Sequence, residues 1–166
     1  MRNIIKFIIL IVFISSCTTP QQDNTAFDLG LSKFEKNQAI ADKTFDLFID
    51  KDLDGMMNMY SDDVIWSPAN TLDSLSKADL RGGMAGWMEN FESFTFNDRQ
   101  YYPGVDDTNF LPDGGVRSYG TWTFNHKTSG TEFKQSYYSV QQFDEDGNTA
   151  FIWEFFDAGS IFLSLQ

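Results

Sequence analysis

The chain has 166 residues, of which 24 are acidic and 12 are basic, so its formal net charge at pH 7 is −12. An excess of negative charge repels phosphate backbones and argues against nucleic-acid binding. The length suits one domain with a single core. Cys17 is the only cysteine, which excludes an intramolecular disulfide and any metal site built from several cysteines.

The first 16 residues have the parts of a secretory signal. Met1–Lys6 is short and basic, Phe7–Ile14 is an unbroken apolar run, and two serines follow. The apolar run is far shorter than the roughly 20 residues that a membrane-spanning helix needs. We therefore expect a signal peptide over residues 1–16 rather than a transmembrane anchor.

The four residues Ile14-Ser-Ser-Cys17 resemble the bacterial lipobox, in which an aliphatic residue and two small residues precede a cysteine. The resemblance implies that Cys17 is lipidated and becomes the mature amino terminus. Buried acyl chains, at about 0.8 kcal/mol per CH₂, would hold the protein at a membrane. Thr18, rather than aspartate, follows Cys17, and by resemblance to a Gram-negative sorting rule this favours the outer membrane of the cell envelope. The alternative is an ordinary signal peptide that is cut elsewhere.

The folded part is predicted over residues 33–166, behind a flexible tether at residues 17–32, whose first part is polar and without periodicity. Ser32–Glu35 fits a capping box. It begins an apolar stripe at helical spacing that continues to about Lys51. The first helix is therefore expected to start near Ser32.

Two shorter helices and a strand are predicted next. Asp52 can cap the second helix, and Ser76–Asp79 can cap the third. Val64–Trp66 reads as a short strand between them. Asp52 also belongs to an Asp-x-Asp-x-Asp pattern typical of calcium loops, but Ser61 stands where such a loop carries glutamate. Helix capping is the simpler explanation, and we expect no metal and no cofactor.

Four segments rich in aromatic and β-branched residues follow, separated by turn compositions: Phe94–Gly104, Val116–Asn125, Glu132–Phe143 and Thr149–Phe162. Helices followed by a meander of strands define an α+β class. We predict one curved antiparallel sheet with about three amino-terminal helices on its concave face.

The segment Tyr60-Ser-Asp-Asp-Val-Ile-Trp66 and the ending Phe143–Asp157 resemble the SnoaL-like branch of the nuclear transport factor 2-like superfamily. The resemblance covers roughly residues 34–162. It implies a cone whose open end admits small, often apolar molecules, in a family that includes isomerases, dehydratases, cyclases and epoxide hydrolases. The positions that match the catalytic groups of ketosteroid isomerase are Thr44, Ser67 and Ser139, so the resemblance does not extend to that chemistry.

Asp157 and His126 are the candidate catalytic residues. Asp157 lies where the resemblance places an acid in SnoaL-like cyclases, and strict alternation puts it on one face with Trp153 and Phe155. A carboxyl group among rings is suited to acid–base work. The alternative is a strand-end aspartate in solvent or paired with Arg117. For His126, the only histidine, the alternative is an exposed loop position.

Ligand contacts are expected from side chains on the strands and on the third helix. Arg117 and Tyr119 could bind an anionic or carbonyl group, or Arg117 could balance acidic neighbours. Aromatic rings could line the cavity or simply fill the core. The predicted ligand-binding residues are Trp66, Trp87, Tyr101, Arg117, Tyr119, Trp122, Tyr137 and Trp153.

These observations predict a lipid-anchored envelope protein that binds a small apolar or aromatic molecule. One alternative is a SnoaL-like enzyme that uses Asp157 as general acid or base. A second is a structural or partner-docking homodimer that associates through its sheet.

Overall fold

The computed structural model describes residues 24–71 and 73–164. The predicted signal peptide, Cys17 and the first part of the predicted tether lie outside these residues. Within them, no helix has the length and apolar character needed to cross a bilayer.

Helix α1 spans Thr25–Ile49 and begins inside the predicted tether rather than near Ser32. The reason is a tertiary contact. Gly30 is buried, and a β-carbon at this position would lie only 1.8 Å from the carbonyl oxygen of Pro112. Leu31 packs beside it against Phe34 and the sheet residue Val116. The early turns of α1 are therefore held by packing that the local sequence pattern does not encode.

The caps of the next two helices are confirmed. Helix α2 spans Leu53–Met57, and the Asp52 carboxylate accepts a hydrogen bond from the Gly55 amide at 2.8 Å. Helix α3 spans Lys77–Asn90 and begins with a capping box between Ser76 and Asp79. Such caps satisfy amides that have no partner inside the helix.

Five strands form one sheet in the order β1-β5-β4-β3-β2, and helix α4 follows them at Ala158–Ser164. The strands are Tyr60–Ser67, Phe91–Val105, Pro112–His126, Glu132–Phe143 and Thr149–Phe155. Strands β2 to β5 pair antiparallel, as predicted.

Two features of the sheet differ from the prediction. Edge strand β1 pairs parallel with β5, because the chain between them contains α3 and three strands and is long enough for a crossover. Strand β5 ends at Phe155 instead of continuing to Phe162, since Asp157 starts α4 by accepting a hydrogen bond from the Ser160 amide at 3.0 Å. The α+β class itself is confirmed.

Alternation gives the sheet an inner and an outer face. On β5, Ile152 and Glu154 are buried, whereas Trp153 and Phe155 are exposed. Helix α1 packs across the inner face, where the Phe45 and Phe96 rings lie 4.7 Å apart. Rings on the inner face therefore belong to the core or to any cavity beneath α1.

The outer face carries a row of rings that contact one another across neighbouring strands. Tyr119 and Tyr138 are stacked with their centroids 4.6 Å apart, and Tyr138 and Phe155 are stacked at 5.3 Å. Tyr102 and Trp153 extend the row at its two ends. We call these five residues the outer row.

Candidate functional site

A cavity of about 490 Å³ lies between the inner face of the sheet and helices α1, α3 and α4. Most of its lining is aromatic. Rings from β1 to β4 and from α1, α3 and α4 contribute, among them Phe45, Tyr60, Trp66, Trp87, Phe94, Trp122, Phe124, Tyr137 and Phe162. This size and composition are typical of sites for small molecules.

Glu154 is an acidic residue in this lining and is only 8% exposed. The indole Nε1 of Trp66 donates a hydrogen bond to its Oε2 at 2.6 Å, and the hydroxyl of Tyr137 donates to its Oε1 at 2.8 Å. An indole N–H can only donate, so Oε2 must be an acceptor. Burial raises the pKa of Glu154, and the hydrogen bonds from Trp66 and Tyr137 lower it in part, leaving it above the usual value.

The charge of an ionised Glu154 has no counter-ion in the described lining. No lysine or arginine is among those lining residues, and His126 is their one basic group. Burial and the nearby Glu154 raise the pKa of Tyr60 and of Tyr137, so both phenols stay neutral. The buried carboxyl group of Glu154 therefore has two neutral hydrogen-bond donors and no lysine or arginine beside it in the described lining.

Gly83 on α3 positions one of these donors. A β-carbon at Gly83 would lie 2.5 Å from Cη2 of the Trp66 ring, so only glycine lets the indole lie this close to the helix. Gly82 and Gly86 also line the cavity, but a β-carbon at either would meet nothing within 4 Å. Only one of the three glycines therefore has a packing role.

Five predicted site residues lie at the cavity: Trp66, Trp87, Trp122, His126 and Tyr137. The His126 ring also contacts Phe91 at 5.5 Å, and its Nδ1 lies 2.9 Å from the Ser129 hydroxyl. The sequence left an exposed loop position as the alternative for His126. The structure instead places His126 at the end of β3.

The other predicted ligand-binding residues are not in the cavity lining. Tyr101 donates a hydrogen bond from its hydroxyl to Asp42 on α1. Arg117, Tyr119 and Trp153 belong to the outer face, because their strands turn alternate residues outward. Tyr119 and Trp153 are members of the outer row, on the face through which a homodimer was expected; that association stays a prediction.

The expected placement of Asp157 among cavity rings was wrong. Trp153 and Phe155, with which it was expected to share a face, point outward, and Asp157 is exposed where it caps α4. The sequence reasoning missed Glu154. The available clue was the single charged residue in the run Phe151-Ile-Trp-Glu-Phe-Phe156, two positions from Ile152. Side chains alternate along a strand, so placing Ile152 rather than Trp153 on the inner face would have placed Glu154 there as well.

No protein-family model matches the chain, and no curated protein sequence matches it. Its fold is nevertheless similar to many solved structures. A polyketide cyclase candidate from Xanthomonas campestris pv. campestris has a TM-score of 0.67 at 10% identity, over 81% of this chain and 99% of the other. An NTF2-like protein from Burkholderia xenovorans LB400 has a TM-score of 0.62 at 14% identity, over 80% and 98%.

A SnoaL-like polyketide cyclase candidate from Shewanella putrefaciens CN-32 is similar at a TM-score of 0.62 and 13% identity, over 78% of this chain and 86% of the other. These likenesses define the class of structure: the chain has the nuclear transport factor 2-like fold. The fold expected from the Tyr60–Trp66 motif is therefore confirmed.

Substituting the glycines of α3 tests the packing of Trp66. We expect Gly82→Ala to stabilise the protein by up to about 1 kcal/mol, because alanine favours a helix. We expect Gly83→Ala to destabilise it by about 1–3 kcal/mol, because the new methyl group displaces the indole. Urea unfolding of both variants measures the difference. Equal stabilisation by the two substitutions would show that the Trp66 ring does not rest on α3.

The raised pKa of Glu154 predicts a pH-dependent stability. The folded state holds this proton more tightly than the unfolded state, so stability falls as pH rises from the ordinary glutamate value through the raised one. The Glu154→Gln variant has no carboxyl group to ionise at this position, so it should not lose stability in this way as the pH rises. We expect the variant to be more stable than wild type at pH 7, and the difference to shrink as the pH falls toward 4.

Thermal unfolding from pH 4 to pH 8 measures this dependence. Asp157→Asn is the matched control, since asparagine also caps helices and Asp157 is exposed. A constant difference between Glu154→Gln and wild type across the range would contradict the assignment.

Proposed function

We propose that the protein is a lipid-anchored envelope protein whose cavity binds a small, largely apolar or aromatic molecule. The observation that carries the proposal is the cavity of about 490 Å³, walled by rings and containing the buried Glu154. Pockets of 300–1,000 Å³ with apolar walls and few polar groups are typical of small-molecule sites. The anchor rests on the lipobox resemblance at Cys17.

Ligand capacity can be tested with the mature chain carrying Cys17→Ala, which keeps every described residue but cannot be lipidated. We expect the neutral dye N-phenyl-1-naphthylamine to bind and to gain fluorescence. Gly86→Leu places a larger side chain into open space at the lining and should weaken binding at least tenfold. Glu89→Leu, an exposed position on the same helix and outside the lining, should leave binding unchanged. Equal affinity in all three proteins would place the dye elsewhere.

The anchor has its own test. Palmitate label should enter the wild-type chain in a bacterial host and should be absent from Cys17→Ala, which should leave the membrane fraction. Two acyl chains hold a protein durably at a membrane, whereas the unlipidated protein lacks this hydrophobic attachment. Palmitate label retained in the variant would show that the lipid is attached to a residue other than Cys17.

Proton-transfer catalysis is the second candidate function. It is supported by Glu154, a carboxyl group in apolar surroundings whose pKa is raised by burial. Solved proteins of the same fold are named as polyketide cyclase and isomerase candidates. Ionised Glu154 would take a proton from a carbon beside a carbonyl group. The C–H electron pair would enter the enolate, and the proton would then return to carbon.

Exchange of the α-hydrogens of a cyclic ketone in D₂O, followed by proton NMR, tests this chemistry. We expect wild type to accelerate exchange and Glu154→Gln to lose at least 100-fold of that rate. Asp157→Asn separates the two carboxyl candidates. If Asp157→Asn abolishes exchange while Glu154→Gln retains it, the acid–base role belongs to Asp157.

A further inference from the structure

The cavity contains one acidic group, Glu154, whose charge would have no balancing cation among the described lining residues when it ionises. Each oxygen of Glu154 accepts one hydrogen bond from a neutral donor, Trp66 or Tyr137. Among the described lining residues there is no lysine or arginine. A buried carboxylate without a cation is costly, and the arrangement becomes favourable once a positive group lies beside it.

The walls around Glu154 suit the same kind of group. The indoles of Trp66, Trp87 and Trp122 all line the cavity. Aromatic faces attract cations within about 6 Å of the ring centre, and tryptophan does so most strongly. The net charge of −12 also draws cations toward the protein.

We propose that the molecule bound in this cavity is an organic cation, with an apolar or aromatic body and an ammonium group that pairs with Glu154. The inference rests on the proposed ligand-binding function and adds the charge of the ligand. A neutral ligand would leave the carboxylate unpaired, and an anionic ligand would be repelled by it.

The pairing couples binding to a proton. Burial raises the pKa of Glu154 in the empty cavity, whereas a cation bound beside the carboxyl group lowers it, so binding of the cation favours release of the proton from Glu154. The titratable groups at the lining are Tyr60 on β1, His126 on β3 and Tyr137 on β4. Both tyrosines stay neutral, and the lining residues of α1, α3 and α4 are uncharged. Acidification therefore weakens cation binding through Glu154, and the His126→Gln variant serves as the control for the one other basic group in the described lining.

The test compares two ligands of nearly the same shape in the mature chain carrying Cys17→Ala. The cation is 3-phenylpropylammonium, and butylbenzene replaces its ammonium group by a methyl group. Both compete with N-phenyl-1-naphthylamine at pH 8. We expect the cation to displace the dye at a concentration at least tenfold lower than butylbenzene. Glu154→Gln should still bind the dye but lose at least tenfold of this preference.

Proton release is the second readout and requires no Glu154 variant. Calorimetric titrations with the cation, in two buffers of different ionisation enthalpy, should show net proton release on binding. The release should be seen both in the chain that carries only Cys17→Ala and in the chain that also carries His126→Gln. If butylbenzene displaces the dye as well as the cation does, or better, the ligand is not selected for its positive charge. That result would overturn this inference but not the proposed binding function. A chain that binds neither the dye nor either competitor would overturn both.

Discussion

The hydrogen bonds to the buried carboxyl group of Glu154 are the constraint around which the cavity is organised. Glu154 lies on β5, with Trp66 on the neighbouring strand β1 and Tyr137 on the other neighbour, β4. The three side chains therefore connect three adjacent strands across the inner face. A buried polar group left without its partners loses more free energy than a made hydrogen bond contributes, so these bonds favour one arrangement of the strands.

The surrounding elements are compatible with that arrangement. Gly83 leaves the space that the Trp66 indole occupies. Phe45 from α1 closes against Phe96 and Tyr137, with ring centroids 4.7 and 5.9 Å apart. The cavity thus persists in a tightly packed aromatic core because rigid rings and one polar cluster hold its walls apart. A cavity preorganised in this way would lose little entropy on binding a small molecule.

The two faces of the sheet divide the aromatic residues between two roles. Inner rings surround the cavity, whereas the outer row stacks ring on ring in contact with solvent. Glu154 and Trp153 are consecutive in the chain, yet one is buried and the other is 41% exposed. Neighbouring residues with similar sequence surroundings therefore differ completely in what they can bind.

The sequence by itself determined the α+β class, the caps at Asp52 and Ser76, and the approximate positions of strands β2, β3 and β4, because these depend on local hydrogen bonds and on hydrophobic periodicity. Only the tertiary structure decided where α1 begins, since that depends on the distant contact between Gly30 and Pro112. It also decided that Glu154 rather than Asp157 reaches the cavity. Strand side chains alternate with a period of two, so the choice of phase exchanges the two faces, and packing against α1 and β1 makes that choice.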